Sequence, residues 1–343
     1  MINSSETALL RILSAMPTDR SAEQLTRLVA IPAPLAAACG DQASRAVIAL
    51  AMNLLLLDDL LTRVPTGRAY VEDIAAEGRQ LVFDHGALRT VDLAGMGDLP
   101  GGRQAITRVL EPLGYSLTAL YPLERLCMTG RSYTHVDFPE DLPQFFLSEL
   151  HPKRFSEIFQ GAVARVTASS QDPLNAKDLA RLDQLSVRGR LPMAEAIALL
   201  PKLVACFSRR HATPSLTDYE LLRAESAEMA WIATEGNAFN HATDRVESLD
   251  AVVTTQRRLE RPMKDKIEVS RSGRVKQTAF KADVVERSLI DEAGAVIVRP
   301  APGSFFEFIE RDQMIDPQTG ARRLDLGFDS GNAQGIFKMT AAA

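Results

Sequence analysis

The apolar positions of the first sixty residues recur at helical spacing. Leu9, Leu10, Ile12, Leu13 and Met16 form one stripe, and after the break at Pro32 and Pro34 a longer helix is expected over 41–64, with Pro65 just past its end. From Arg79 the period changes. Residues 80–92 alternate β-favouring side chains and read as a strand carrying His85 and Arg89. A glycine-rich turn over 95–102 leads into a helix expected at 103–113, and 115–120 and 131–137 read as short strands. The middle of the chain returns to helical spacing, with segments expected at 142–149, 154–165, 176–186 and 193–209 and helix-rich sequence up to Ala233. A second β-containing stretch opens at 237–245, followed by strand candidates at 257–262, 278–285, 295–299, 305–311 and 325–330.

The expected fold class is therefore α+β, in a single domain over 1–343. Its parts are a helical N-terminal wrap (1–78), a first β section (79–140), a helical insert (141–233) and a second β section (234–343). Composition narrows the function. Of 343 residues, 39 are Lys or Arg and 44 are Asp or Glu, a net charge of −5, which gives no footprint for nucleic acid. The most apolar run, 46–57, is interrupted by Asn53 and closed by Asp58 and Asp59, well short of the roughly 20 apolar residues of a membrane span. Cys39, Cys127 and Cys206 lie far apart, with no spacing for a disulfide framework or a thiolate metal site. The first seven residues lack the basic start and apolar core of a secretory signal, so a cytoplasmic location is expected.

Histidine is scarce: His85, His135, His151, His211 and His241. Two of the five share a setting. Phe83-Asp-His85 and Phe239-Asn-His241 each place Phe two before the histidine and Arg (Arg89, Arg245) four after, which suggests two related β modules pointing a histidine inward. Taken singly, each imidazole reads more readily as structural than as a ligand; the shared setting favours the ligand. A third member is offered by Phe305-Phe-Glu307-Phe-Ile-Glu310-Arg311, where strand alternation puts Glu307 on the face of Phe305 and Ile309. A carboxylate there needs a proton, an arginine or a cation. Two imidazoles and a carboxylate form a facial set suited to Fe(II). His135 is expected to be structural, His151 to cap a helix, His211 to be solvated, and Lys281 to lie on a strand surface; Gln277 could line a pocket.

The run Phe-Asp-His85-Gly-Ala-Leu-Arg89-Thr-Val, the stretches 121–135 and 142–150, Asn240-His241, Gln277-Thr-Ala-Phe-Lys281 and Phe305-Phe-Glu307-Phe together resemble the 2-oxoadipate dioxygenase/decarboxylase (hydroxyglutarate synthase) family of the vicinal oxygen chelate superfamily. The resemblance implies a curved sheet or half-barrel enclosing a metal site, with Fe(II) held by His85, His241 and Glu307. It also implies that Arg89 clamps a substrate carboxylate, and the run from Gly327 through Ser330 and Gly331 resembles the glycine-rich approach to such sites. On a strand His85 and Arg89 face the same side, about 13 Å apart at Cα. The implied reaction takes a small 2-oxo acid and O₂, 2-oxoadipate giving 2-hydroxyglutarate and CO₂. Two other readings stay open: an oxygen-independent metal-assisted isomerase or lyase on the same scaffold, and a small-ligand-binding protein without turnover.

Overall fold

The computed structural model describes residues 7–317 and 319–329. An eight-stranded sheet, curled into a half-barrel, dominates it, in the order β3-β4-β5-β2-β7-β12-β9-β8. Strands β2 (Phe83–Val91), β3 (Tyr115–Leu123), β4 (Met128–His135) and β5 (Gln144–Leu150) come from before the helical insert; β7 (Phe239–Arg245), β8 (Glu268–Val269), β9 (Val275–Ala279) and β12 (Phe305–Arg311) come from after it. Each set of four has the same internal order: first strand, fourth, third, second. The first strands, β2 and β7, pair antiparallel at the centre, and each pairs parallel with the last strand of its own set, β5 or β12. The two modules suggested by the histidine settings are thus a pseudo-twofold repeat. Outside this sheet lie the ribbon of β1 (Gln42–Ser44) with β6 (Arg190–Pro192), the hairpin of β10 (Val284–Ile290) with β11 (Val296–Pro302), and β13 (Gln313–Ile315) with β14 (Arg322–Leu324).

The α+β class holds, and the long helix expected at 41–64 is the helix Arg45–Arg63, capped by the Ser44 hydroxyl accepting from the Val47 N–H. Fifteen of its nineteen residues are buried, because it packs between the sheet on one side and helices Ala8–Ser14 and Met193–Ala205 on the other. Its one buried amide is anchored through its nitrogen: Asn53 Nδ2 donates to the Ala49 carbonyl (2.8 Å) and to the Tyr115 hydroxyl oxygen (2.9 Å). No helix among the described residues is long and apolar enough to cross a membrane.

Several expected elements are corrected. Residues 142–149 are not helical: they enter β5, a strand buried along its whole length, whose polar residues Gln144, Ser148 and Glu149 fall on both faces and leave no two-residue period. The helical insert accordingly begins later, with the helix Glu157–Thr167. Residues 257–262 are not a strand but the end of the helix Leu249–Arg258 and the turn after it. The expected strand 278–285 is split between the end of β9 and the start of β10. Residues 325–329 are irregular, and Ser330 lies outside the described residues. His211 is buried rather than solvated, its Nε2 2.8 Å from the Ala233 carbonyl oxygen. His151 follows a strand and bridges the Thr129 hydroxyl and Asp92 instead of capping a helix.

Two tests of the packing arise here. A Cβ on Gly86, at the middle of β2, would stand 2.3 Å from the Phe239 ring. Gly86→Ala is expected to destabilise the protein by about 1–3 kcal/mol, measured by denaturant titration, through overpacking. His135 is a buried structural histidine, its ring edge-on to Tyr115 and its Nδ1 accepting from the Asp137 N–H (3.2 Å). Burial pushes its pKa down to about 4, against an ordinary value of about 6.5. The unfolded chain therefore binds the proton first, so this contribution is complete above pH ~6.5 and is lost as pH falls toward 4. The drop in melting temperature between pH 7 and pH 5 should be smaller in His135→Gln than in the parent.

Candidate metal centre

The three strands at the centre of the sheet place the site. In register, His85 on β2 faces Thr243 on β7, and Thr243 faces Glu307 on β12, so the three side chains form one row on one sheet face. His241 lies two residues along β7 on that face, opposite Ala87 and Phe305. One ligand atom from each of His85, His241 and Glu307 lies within 4.8 Å of the others, and all three residues are buried. Glu307 Oε2 is 3.2 Å from His85 Nε2 and 3.5 Å from His241 Nε2.

Backbone irregularity orients both imidazoles. The β2–β7 register slips between Phe83 and His85 and again between Ala87 and Leu88, leaving Asp84 on one strand and Asn240 on the other as bulge residues. Each bulge brings the polar residue before the histidine onto its ring: His85 Nδ1–H donates to Asp84 Oδ1 (2.9 Å), and the Asn240 amide lies 2.9 Å from His241 Nδ1. Both Nε2 atoms are thereby left facing the carboxylate, the usual device for aiming a ligating imidazole. Asp84 is itself gripped by Arg311, whose Nε and Nη2 donate to its two oxygens, each at 2.9 Å. Glu307 Oε2 accepts from the Thr243 hydroxyl (2.7 Å) and Oε1 from Gln277 Nε2 (3.3 Å). Gln277 thus contacts the site, while Lys281 is exposed on the surface.

The electrostatics suit a cation. Burial pushes His241 down to about 3, so its ring is neutral and its nitrogen lone pair available. Burial alone would raise Glu307, but the two imidazoles and the Thr243 hydroxyl outweigh it and hold the carboxyl below its ordinary range. Burial likewise opposes a proton on His85, and the neighbouring Asp84 and Glu307 overcome it and raise that group. Two imidazole nitrogens and one ionised carboxylate, converging in a buried space, fit a divalent metal of borderline hardness.

Arg89 lies on the face of His85, since β2 and β5 stay in unbroken register from His85 to Val91. It is fully buried, with its guanidinium carbon 4.8 Å from the centroid of the Trp231 ring. Burial lowers its pKa to about 10, opposed by the charge of Glu228, so it remains cationic at neutral pH. Its charge also disfavours a proton on His241. Phe328 packs edge-on to the His85 ring at 4.9 Å and against Phe146 at 5.0 Å. Ser330 and Gly331, the other expected substrate contacts, lie outside the described residues. Asp84, Asn240, Thr243, Trp231, Arg311 and Phe328 were not singled out from the sequence. Of these only Asp84 and Asn240 carry a sequence signal, each being a polar residue directly before a paired histidine.

A family model described as 2-oxoadipate dioxygenase/decarboxylase matches residues 57–327. The chain belongs to this family. The 2-oxoadipate dioxygenase/decarboxylase of Arabidopsis thaliana, a chloroplastic protein, is 27% identical over 309 residues, 82% of this chain and 74% of the relative. A glyoxalase superfamily protein from Ralstonia eutropha JMP134 shares 52% identity and superposes with a TM-score of 0.87, over 94% of this chain and 98% of that one. The hydroxyglutarate synthase of Oryza sativa, solved in complex with 2-oxoadipate, shares the fold at 19% identity and a TM-score of 0.64, over 92% of this chain and 96% of that one. Family membership and the half-barrel fold accord with the resemblance read from the sequence.

Proposed function

We propose that the chain is an Fe(II)-dependent dioxygenase/decarboxylase of a small 2-oxo dicarboxylic acid, with 2-oxoadipate as substrate. One 2-oxoadipate and one O₂ give one 2-hydroxyglutarate and one CO₂, a balanced conversion that needs no separate reductant. The observation that carries this reading is the convergence of His85, His241 and Glu307 on the sheet face that also bears Arg89.

Fe(II) held by His85, His241 and Glu307 would supply electrons to dioxygen and positive charge for the carboxylate and keto oxygens of the 2-oxo acid. The chain's own residues do the rest. Asp84 and Asn240 fix the two imidazoles, and Thr243 and Gln277 fix the carboxylate, so the donor set is organised before substrate arrives. Arg89 grips the remote carboxylate of the substrate with its planar fork, and Trp231 stacks on the guanidinium and limits its orientations. Phe328, Phe146 and Tyr121 line the neighbouring wall with rings and keep water away from the His85 side.

The test is oxygen uptake and CO₂ release by protein loaded anaerobically with Fe(II), on a panel of 2-oxo acids. The expected result is 1:1 consumption of O₂ and 2-oxoadipate, with little turnover of 2-oxo monocarboxylic acids. Turnover that persists without oxygen would assign the scaffold to an isomerase or lyase reaction instead.

A further inference from the structure

Arg311 closes β12 two pleats beyond Glu307, with its side chain entirely buried. Among the described residues its guanidinium makes four hydrogen bonds, to two different parts of the molecule. Nε and Nη2 hold both oxygens of Asp84, as described above, and Nη1 donates to the carbonyls of Asp325 (2.8 Å) and Gly327 (2.9 Å). Its carbon also lies 5.0 Å from the Phe328 ring centroid. The segment 325–328 is thus held against the sheet, with help from Gln144 Nε2 to the Leu326 carbonyl (3.3 Å) and the Phe328 N–H donating to the Tyr121 hydroxyl oxygen (3.2 Å).

We propose that Arg311 is a positioning residue that couples the seating of segment 325–328 beside the site to the orientation of the His85 imidazole through Asp84. The inference rests on His85 being a metal ligand. A planar fork with fixed donor directions cannot serve Asp84 and the two carbonyls independently. If the segment lifts, the guanidinium loses two acceptors and is free to rotate; if it rotates, Asp84 loses its two-point grip and His85 loses the anchor of its Nδ1–H. Ordering the metal ligand and seating Phe328 against the His85 ring are then one event. A metal that requires the first favours the second, and linkage makes the effect reciprocal.

The experiment combines Co(II) affinity, read from the visible spectrum of the full chain, with hydrogen–deuterium exchange of the peptide covering 325–328. In the parent protein, saturating Co(II) should slow exchange of that peptide. In Arg311→Gln, exchange should be faster, Co(II) affinity about 10- to 100-fold weaker, and the protection by Co(II) absent. Arg311→Lys keeps the charge but not the fork and should fall between the two. Asp84→Asn tests the same link from the other end: it should speed exchange of 325–328 although, among the described residues, the hydrogen bonds of Asp84 go to His85 and Arg311 and not to that segment.

Faster exchange in Arg311→Gln with unchanged Co(II) affinity, or full Co(II) protection retained in that variant, would overturn the coupling. So would unchanged exchange in Asp84→Asn. Equal Co(II) affinity in His85→Ala and the parent would instead remove the metal site on which the inference stands, an outcome separable from failure of the coupling because Arg311 plays no part in it.

Discussion

Glu307→Gln is expected to lower turnover of 2-oxoadipate by at least about 10³-fold, the scale of several kcal/mol of metal-derived stabilisation. The substitution is nearly isosteric, and the amide can still meet Thr243 and Gln277, the two groups that hold the carboxylate. What it removes is the single negative charge among the three converging side chains. Metal content after anaerobic loading should fall well below one ion per chain, and the metal-free protein should melt somewhat lower than the parent at neutral pH, since the two imidazoles and the Thr243 hydroxyl favour the ionised carboxylate and the amide lacks that charge. His241→Ala should lose metal in the same way. Undiminished metal content and turnover in both variants would refute the ligand assignment.

The second large effect concerns Arg89. Arg89→Met keeps much of the length and the apolar stem that packs near Trp231, and removes the charge. Truncating one partner of a buried, hydrogen-bonded charge pair costs about 2–5 kcal/mol, so kcat/KM for 2-oxoadipate should fall about 30- to 5,000-fold. The loss should be specific to dicarboxylic substrates: any residual activity on a 2-oxo acid with an uncharged tail should be retained or improved. Arg89→Lys should recover only part of the loss, because a point charge does not reproduce the two-point grip. Equal losses on charged-tail and neutral-tail substrates would show that Arg89 supports the fold rather than reading the substrate.

How much of this was legible in the sequence depended on which faces of each element meet water. The long helix Arg45–Arg63 and the strand around His85 stood out because a proline, a cap or a clear change of period marked their ends. Strand β5 did not, because it lies inside the sheet with neighbours on both sides and buries all seven residues. A segment with no polar face has no period to read. The histidine pair was legible because the local settings repeat, and Glu307 because a carboxylate among phenylalanines is costly to bury. Trp231 and Arg311 were invisible for a different reason. Their roles arise only when the helix Ala227–Glu235 and the end of β12 are folded against β2, far from them in sequence. The same holds for Thr243, which becomes the centre of the donor row only once three strands are in register.

The pseudo-twofold repeat also explains why there are three donors and not four. His85 pairs with Gln144 as His241 pairs with Phe305, so the position two residues further along, Glu307 in one half, is Phe146 in the other. One half presents a carboxylate to the centre and its counterpart presents a phenyl ring. If the three side chains hold a metal as proposed, the half that presents Phe146 would leave its side of the ion free of protein donors, a difference set by the identity of a single side chain.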